Sequence, residues 1–394
     1  MLKSADALVA AGHDVRVVAT RHEPWAVDAD ADVQSRRSWP LTVVDYRRGA
    51  GATYWRSGAR YRAARALSAA IGPARVPFDL AARAFGRVHP ELVRAASAEP
   101  ADLIYGGTTG ALAAVAAAAR RCGARYALDL EDFHSDESEA PDHALSHALA
   151  RRIEGCILGK AAFLSASSEG IAQAYSESYE VAPHVIHNTF ELPRRTPDFS
   201  RPSPDLLRLY WFSQTIGAGR GLEDAILAMG LAGTPGELTL RGRPVPGYLD
   251  SLRALARARA PRLLVIHEPP APPDAMVDLS RGYDVGLALE QPQVRNRQIA
   301  QSNKVFTYLL AGNAIAMTDT PGQHALGVDL GDGAALVPPG DVDALASVFA
   351  RWAADPAALD RAKRAAWQAA TRRWHWEHDA ERGELYRLVD KALA

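Results

Sequence analysis

Short apolar runs alternate with alanine- and leucine-rich segments along nearly the whole of this chain. Runs of about five apolar residues suit buried strands, whereas the longer segments between them carry apolar residues at helical spacing. This alternation is typical of a parallel sheet, in which a helix connects each strand to the next. The sequence therefore predicts an α/β fold, and its 394 residues suffice for two or three domains at roughly 150 residues each.

The alternation forms two series that are separated by one break. The segment from Asn188 to Asp205 is rich in Pro and Ser and has no apolar periodicity, which is typical of a linker. Strands are predicted on both sides of this break, at 15–19, 41–46, 101–106, 124–130, 163–167, 184–187, 207–212, 237–241, 263–267, 285–290, 314–318 and 335–337.

These two series define the expected domains. Residues 1–190 are predicted to form an N-terminal domain, 191–205 a linker, and 206–373 a second domain. The remaining segment, 374–394, is helical in character and follows a complete second sheet. We expect this terminal helix to pack back on the N-terminal domain.

The chain opens with a helix where a nucleotide-binding fold opens with a strand. Residues 1–12 read as an amphipathic helix that ends in Gly12, and a strand follows. Such folds normally begin with a strand and a glycine-rich turn. We therefore expect the first strand of the N-terminal domain to be missing, either because the sequence begins after it or because the fold does without it; we favour the first.

Composition excludes several classes of protein. A formal net charge of −1 produces no overall field that would attract nucleic acid. Cys122 and Cys156 are too few for a disulfide framework and lack the spacing of metal ligands, which fits a reduced cytoplasmic setting. The sequence shows no run of about 20 apolar residues and no secretory signal.

Gly217, Gly219 and Arg220 lie in a glycine-rich loop between a predicted strand and a predicted helix. Free backbone amides and a guanidinium group at the start of a helix suit a phosphate group. Ser302, Asn303 and Lys304 begin another predicted helix in the same half of the chain, and this helix start also suits a phosphate group. Ser302 or Asn303 is predicted to cap that helix, and Lys304 adds a full positive charge to its N-terminus.

Several stretches, taken in order, resemble the GT-B glycosyltransferases, most closely the retaining family-4 group. They are the helix, Gly-His and strand run at 8–18, His187-Asn188, Phe212–Ile226, Ser302–Gly312, Gly340-Asp341 and Trp376-Glu377. The resemblance implies two Rossmann-like domains facing across a cleft, the acceptor domain first and the donor domain second. It also implies transfer of a sugar from a nucleotide sugar to an acceptor hydroxyl with retention of configuration, and no metal or other cofactor.

The donor-side residues match the family pattern only in part. Arg220 stands where the family has a lysine and Gln214 where it has an arginine, so one cation of its basic pair is absent. Thr307 stands where a glutamate would contact the ribose, and it can form only a neutral hydrogen bond there. Glu290 is the nearest carboxylate that could compensate. Ordinary turns and a solvated lysine are the alternative interpretation of these segments.

One loop near these segments is also charged. Arg295, Asn296 and Arg297 could reach the donor phosphate or sugar, and a solvated charged loop is the alternative. The run from Arg47 to Arg65 is basic and aromatic as well. It fits either peripheral association with the inner face of the membrane or a solvated helix face.

An acidic segment, Asp129 to Glu137, begins at the end of a predicted strand, where ligands bind in open α/β sheets. The resemblance places the acceptor near this segment. Glu131, Asp132 and His134 are therefore the candidate catalytic residues that would orient an acceptor hydroxyl. An acidic loop that caps the next helix is the alternative.

Hydroxyl groups follow two other predicted strands of the first series. Thr108 or Thr109 is predicted to cap the helix after one strand. Ser165, Ser167, Ser168 and Glu169 lie at the end of the other strand, and helix capping is predicted for this group as well.

Three functions remain open from these residues. The first is glycosyl transfer from a nucleotide-sugar donor to a polysaccharide, lipid-linked or small-molecule acceptor. The second is a catalytically impaired GT-B-like protein that binds a nucleotide sugar or a partner without turnover. The third is a nucleotide-sugar epimerase, which the helix that begins at Ser302 and the Trp376-Glu377 pair favour less.

Overall fold

The computed structural model describes residues 1–24, 26–136, 144–199 and 206–394. These residues form two compact units. Unit 1 comprises Met1–His187, Val294–Asn296 and Asp379–Ala394, and unit 2 comprises Asn188–Gln293 and Arg297–His378. Glu137 of the acidic segment and residues 200–205 of the predicted linker lie outside the described residues.

In the described part of unit 1, the strands are parallel and form a two-stranded sheet, β1-β2, and a four-stranded sheet, β3-β4-β5-β6. The strands are β1 Val17–Arg21, β2 Leu41–Asp45, β3 Leu103–Gly107, β4 Arg125–Leu130, β5 Phe163–Ala166 and β6 His184–Val185. The helices are α1 Leu2–Ala10, α2 Ala26–Ser35, α3 Ala52–Ile71, α4 Phe78–Phe85, α5 His89–Ala96, α6 Leu112–Cys122, α7 Ala144–Ile157, α8 Glu169–Tyr179 and α17 Glu384–Leu393.

In the described part of unit 2, six parallel strands form one sheet in the order β12-β11-β10-β7-β8-β9. The strands are β7 Leu207–Ile216, β8 Gly236–Pro244, β9 Leu263–Glu268, β10 Val285–Ala288, β11 Ala314–Thr318 and β12 Ala334–Val337. The helices are α9 Leu222–Ala232, α10 Tyr248–Arg259, α11 Met276–Ser280, α12 Arg295–Ile299, α13 Asn303–Ala311, α14 Pro321–Leu330, α15 Val342–Ala354 and α16 Pro356–Arg372.

The predicted α/β fold with two Rossmann-like domains is confirmed, and each predicted strand overlaps an observed one. Strands such as β11 are buried along their whole length, as expected for a parallel sheet that is covered on both faces. Two bounds differ in a way that matters for function. β7 extends through a register shift to Ile216, and β10 ends at Ala288, so Glu290 lies in the loop after the strand rather than within it.

The tryptophan-rich segment near the C-terminus packs within unit 2. The Trp374 indole N–H donates to Asp329 Oδ2 at 2.7 Å, and its ring stacks on Phe306. The Trp376 backbone N–H donates to the Phe190 carbonyl at 2.8 Å. These contacts bury both tryptophan side chains.

Residues Asp379–Ala394 belong to unit 1, where α17 packs close to α1. The Tyr386 hydroxyl donates to the Ala7 carbonyl of α1 at 3.1 Å. The Arg125 guanidinium, at the start of β4, donates to the Ala392 carbonyl. The terminal helix is therefore held by hydrogen bonds to residues distant in sequence.

The basic run of the first unit is partly neutralised by carboxylates. Arg60 pairs with Glu91 at 2.6 Å, and Arg47 pairs with Asp45 at 2.7 Å. In the described ranges, none of the helices combines the length and the apolar character needed to cross a membrane.

His187 is the titratable residue that ties the end of β6 to the C-terminal segment. Its imidazole is buried, with Nδ1 at 3.0 Å from Glu381 Oε1 and Nε2 at 3.3 Å from Glu169 Oε2. Burial lowers the pKa of His187, but the hydrogen bonds and charges of Glu169 and Glu381 outweigh burial and raise it to about 8. The protonated imidazole is thus favoured by the folded state.

This raised pKa predicts a specific dependence of stability on pH. The contribution of His187 is fully present below its ordinary pKa of 6.5 and is lost as the pH rises through about 8. We expect this loss to amount to about 2 kcal/mol of the free energy of unfolding in the wild type and to be absent in His187→Gln. Urea unfolding below pH 6.5 and above pH 8 measures it, with His22→Gln, at an exposed histidine, as the control. An equal pH dependence in wild type and His187→Gln would contradict the prediction.

Candidate functional site

The donor-side loop of unit 2 is shaped by its glycines. Gly219 and Gly221 have φ angles of +74° and +66°, a conformation that glycine adopts at little cost. A Cβ atom on Gly221 would lie 2.5 Å from the Cβ and carbonyl oxygen of Leu289. The loop after β7 therefore packs directly against the chain that leaves β10, which brings Arg220 close to Glu290.

Glu290 accepts hydrogen bonds from three side chains that come from two other segments. Lys304 Nζ lies 2.7 Å from Glu290 Oε1, and Arg220 Nη1 lies 3.2 Å from Oε2. Ser302 Oγ lies 3.3 Å from Oε1 and also accepts from Lys304 Nζ at 3.1 Å. We call Arg220, Glu290, Ser302 and Lys304 the charged cluster. Its two cations, Arg220 and Lys304, are the residues that were predicted from the sequence to bind phosphate.

The charged cluster has an excess of positive charge. Burial raises the pKa of Glu290, but the charges and hydrogen bonds of Lys304 and Arg220 outweigh burial and hold it at about 2, so the carboxylate is ionised at neutral pH. Arg297 donates to the Gly219 carbonyl at 3.0 Å, and burial together with the Arg220 charge lowers the pKa of Arg297. Three cations thus face one carboxylate, which leaves capacity for an anionic ligand.

The capping prediction at the start of α13 is wrong. Ser302 occupies the N-cap position, but its hydroxyl makes no capping hydrogen bond, because it is engaged by Lys304 and Glu290. Asn303 is the first residue of the helix and is exposed. Since the N-cap side chain makes no capping bond in the described structure, backbone N–H groups of this first turn can bind water or a ligand.

Thr307 lies one turn into α13 and is fully buried. Its Oγ1 has no hydrogen-bond partner in the described part of the chain, and the same is true of Thr320 Oγ1 and Gln323 Oε1 after β11. Gln323 Nε2 donates to the carbonyls of Ala288 and Thr318, which places it at the ends of β10 and β11. Buried polar atoms without partners are uncommon in folded proteins, so these three are candidate ligand contacts. Sequence reasoning missed Thr320 and Gln323, although they follow a predicted strand.

In unit 1, the carboxylates of the acidic segment have different environments. Asp129 accepts from Ser165 Oγ at 2.7 Å, and Tyr105 shares a hydrogen bond with the same hydroxyl. Burial and the neighbouring charge of Asp129 raise the pKa of Glu131. A proton on Glu131 is thus more favoured than on a carboxyl group in water.

Lys3 of α1 is a charged neighbour of these carboxylates that sequence reasoning missed. Its Nζ donates to the His187 carbonyl at 3.2 Å. Burial lowers the pKa of Lys3 to about 8, against the opposing charges of Glu381, Asp129 and Glu131. No local signal marks this lysine, because its contacts lie more than a hundred residues away in sequence.

Asp132 and His134 are held in place by groups from distant segments. Tyr175 Oη donates to the Asp132 carbonyl at 3.1 Å and accepts from the His134 backbone N–H at 3.3 Å. The His134 side chain is buried, with Nδ1 at 3.0 Å from Thr109 Oγ1. Asn296, which also belongs to unit 1, donates its amide N–H to Asp132 Oδ1 at 2.8 Å. The Asn296 amide is therefore already engaged in a hydrogen bond within unit 1.

The two predictions of helix caps in unit 1 have different outcomes. The cap by Thr108 or Thr109 is wrong, since α6 begins at Leu112 after Ala111 and Thr109 is turned to His134 instead. The cap by Ser168 is confirmed, since its Oγ accepts from the Ile171 backbone N–H at 3.3 Å. Across the ranges that the structure describes, no three histidine, cysteine or carboxylate side chains converge as metal ligands would.

Comparisons with known proteins support the resemblance to glycosyltransferases that the sequence suggested. Residues 1–189 match the family described as glycosyl transferase 4-like domain. A sucrose-phosphate synthase from Thermosynechococcus elongatus is similar in structure, with 16% identity, a TM-score of 0.66, and coverage of 99% of this chain and 92% of that one. The N-terminal part of the chain thus matches a glycosyltransferase domain family, and the chain as a whole has the GT-B fold of known glycosyltransferases.

Two more solved structures share the fold of this enzyme over nearly its whole length. HepE from Anabaena, solved in complex with UDP, is 15% identical with a TM-score of 0.60 and covers 96% of this chain and 99% of its own. A glycosyltransferase from Rickettsia africae ESF-5 is 10% identical with a TM-score of 0.64, covering 99% of this chain and 93% of its own. No curated protein matches the sequence.

The low pKa of Glu290 predicts how its removal affects the enzyme. Glu290→Gln should lower the free energy of unfolding at neutral pH by about 3 kcal/mol, because Arg220 and Lys304 lose their shared counter-charge. The carboxylate's contribution is present above its ordinary pKa of 4.5 and is lost as the pH falls towards about 2, so wild type and variant should converge there. Urea unfolding as a function of pH measures both.

Glu237→Gln is the matched control for this experiment, because Glu237 forms a more exposed pair with Arg208 in the same unit at 3.5 Å. A loss of stability no larger than that of the control would contradict the assigned role of Glu290.

Proposed function

We propose that the enzyme transfers a sugar from a nucleotide-sugar donor to an acceptor hydroxyl, with retention of configuration and without a metal ion. The charged cluster is the observation that carries the proposal. Arg220, Lys304 and the nearby Arg297 present three cations against the single carboxylate of Glu290. A diphosphate group, which carries two or more negative charges, is the ligand that this excess suits best.

Such a cluster would also assist the reaction. When the bond between sugar and diphosphate breaks, negative charge accumulates on the phosphate oxygens. Cations that Glu290 already orients need little rearrangement to stabilise that charge. The backbone N–H groups at the start of α13, which no side chain caps, would add further donors.

A nucleoside diphosphate as the leaving group is supported by the structural likeness to HepE, which was solved with UDP. Retention of configuration is supported by the resemblance to the family-4 enzymes. The buried and unpartnered polar atoms of Thr320 and Gln323 would provide hydrogen bonds to the donor at the same strand ends.

On the acceptor side, Glu131 is the residue that we assign to orienting the acceptor hydroxyl. Burial and the charge of Asp129 raise the pKa of Glu131 towards neutral pH. A carboxyl group with a raised pKa is better suited to exchange a proton with the acceptor. Asp132 and His134 would support the loop that carries it, since both are held by Tyr175.

Lys304→Ala tests the donor site. Loss of a charge-assisted hydrogen bond to the diphosphate should weaken nucleotide-sugar affinity about ten- to a hundredfold. Calorimetry or thermal shift against a panel of nucleotide sugars, with and without EDTA, measures this. Lys363→Ala is the matched control, because Lys363 pairs with the buried Asp284 in the same unit at 3.3 Å but lies outside the charged cluster. Unchanged affinity in Lys304→Ala, or an equal loss in the control, would reject the assignment.

Glu131→Gln tests the acceptor side. We expect kcat to fall by about a hundredfold while donor affinity stays unchanged, because Glu131 acts on the acceptor alone. Release of nucleoside diphosphate with an acceptor panel measures kcat, and Glu99→Gln, at an exposed pair with Arg16, is the control. A parallel loss of donor affinity would place Glu131 in the donor site instead.

A second candidate function is donor binding without turnover. It is favoured by Thr307, which stands at the position of a family glutamate and is fully buried. Stabilisation by a nucleotide sugar with no nucleotide release for any acceptor would support this function. Release of nucleotide on addition of an acceptor would reject it.

A further inference from the structure

A cavity of about 370 Å³ in unit 1 is lined by helices α4, α5 and α6 and is unusually rich in arginine. Arg83 of α4, Arg94 of α5, and Arg120 and Arg121 of α6 line it, against one carboxylate, Asp79. Four positive charges and one negative charge leave a net charge of +3. We call this cavity the arginine pocket.

Most of this positive charge is not neutralised by the protein. Arg120 lies 3.7 Å from Asp79, and both side chains are largely exposed, so the pair is weak. In the part of the chain that the structure describes, Arg83, Arg94 and Arg121 make no ion pair within 4.0 Å. All four arginines are exposed, so water weakens their mutual repulsion, and an anion in the pocket they line would reduce it further.

A buried histidine in the same lining points to a ligand independently of the arginines. His89, the first residue of α5, is only 6% exposed, and its Nδ1 has no hydrogen-bond partner in the described residues. Burial and the charge of Arg83 lower the pKa of His89 to about 4, so the ring is neutral at physiological pH. A neutral ring can carry its proton on Nδ1 and donate it to an anion.

We propose that the arginine pocket binds a phosphoryl group, with Arg83, Arg94 and Arg121 as charged donors and His89 as a neutral one. Guanidinium groups match the several oxygens of a phosphate with paired hydrogen bonds, which favours a phosphate over a monovalent anion. The volume falls within the range of small-ligand sites, so a phosphate ester fits as well as the free ion. This site belongs to unit 1, whereas the charged cluster belongs to unit 2.

The phosphoryl group could come from a soluble phosphate or from a phospholipid headgroup, and the experiment separates these sources. Inorganic phosphate is titrated by calorimetry into the full-length Lys304→Ala chain, so that binding at the charged cluster is weakened. In parallel, co-sedimentation is measured with vesicles of phosphatidylcholine alone and with added phosphatidic acid. The double variant Arg94→Ala/Arg121→Ala is then compared in both assays.

We expect the double variant to lower phosphate affinity, vesicle affinity or both by about tenfold or more. Arg257→Ala/Arg259→Ala is the matched control, because it removes the same charge from exposed positions on α10 and should leave both affinities unchanged. His89→Gln, which keeps a hydrogen-bond donor, should weaken binding less than the double variant.

Loss of phosphate binding in the double variant assigns the pocket to a soluble phosphate. Loss confined to vesicles with phosphatidic acid assigns it to a lipid headgroup. Equal losses in the double variant and its control, or no binding of either probe to the Lys304→Ala chain, would overturn the proposal.

Discussion

A buried carboxylate that stays ionised needs hydrogen bonds or cations to compensate for its lost hydration, and at Glu290 two cations meet this need and organise the donor side of the enzyme. Glu290 follows β10, Arg220 follows β7, and Lys304 opens α13, so the hydrogen bonds of one carboxylate join three segments. Removing Glu290 leaves both cations without their shared counter-charge, and removing either cation leaves Glu290 with only the other one. The same charges that hold these segments together are the ones that suit a diphosphate.

Unit 1 positions its acidic segment by neutral hydrogen bonds rather than by ion pairs. The hydroxyl of Tyr175 lies 2.9 Å from a carboxylate oxygen of the buried Glu154 and also contacts the backbone of Asp132 and His134. The carboxyl group of Glu131 is therefore carried on a backbone that other residues fix. Burial and the charge of Asp129 then act on the protonation of Glu131 rather than on its position.

Much of the fold could be predicted because the signal for it is local. A buried parallel strand is a short apolar run, and each predicted run, such as 314–318, became a strand. Helix caps were predicted less well, because a hydroxyl at a helix start can bind another partner. Ser302 binds within the charged cluster and Thr109 binds His134, whereas Ser168 accepts from the Ile171 backbone N–H and caps α8.

By itself, the sequence determined the alternation of strands and helices and the presence of basic residues after two strands of the second half. It also determined that Thr307 brings no carboxylate to α13. Only the tertiary structure decided that Arg220 and Lys304 meet on Glu290, at separations of 70 and 14 residues along the chain. The physical reason is that parallel strands end at a common edge of the sheet, so loops far apart in sequence become neighbours there. Neither the convergence of arginines around His89 nor the burial of Lys3 has a local signal, because both depend on how helices pack.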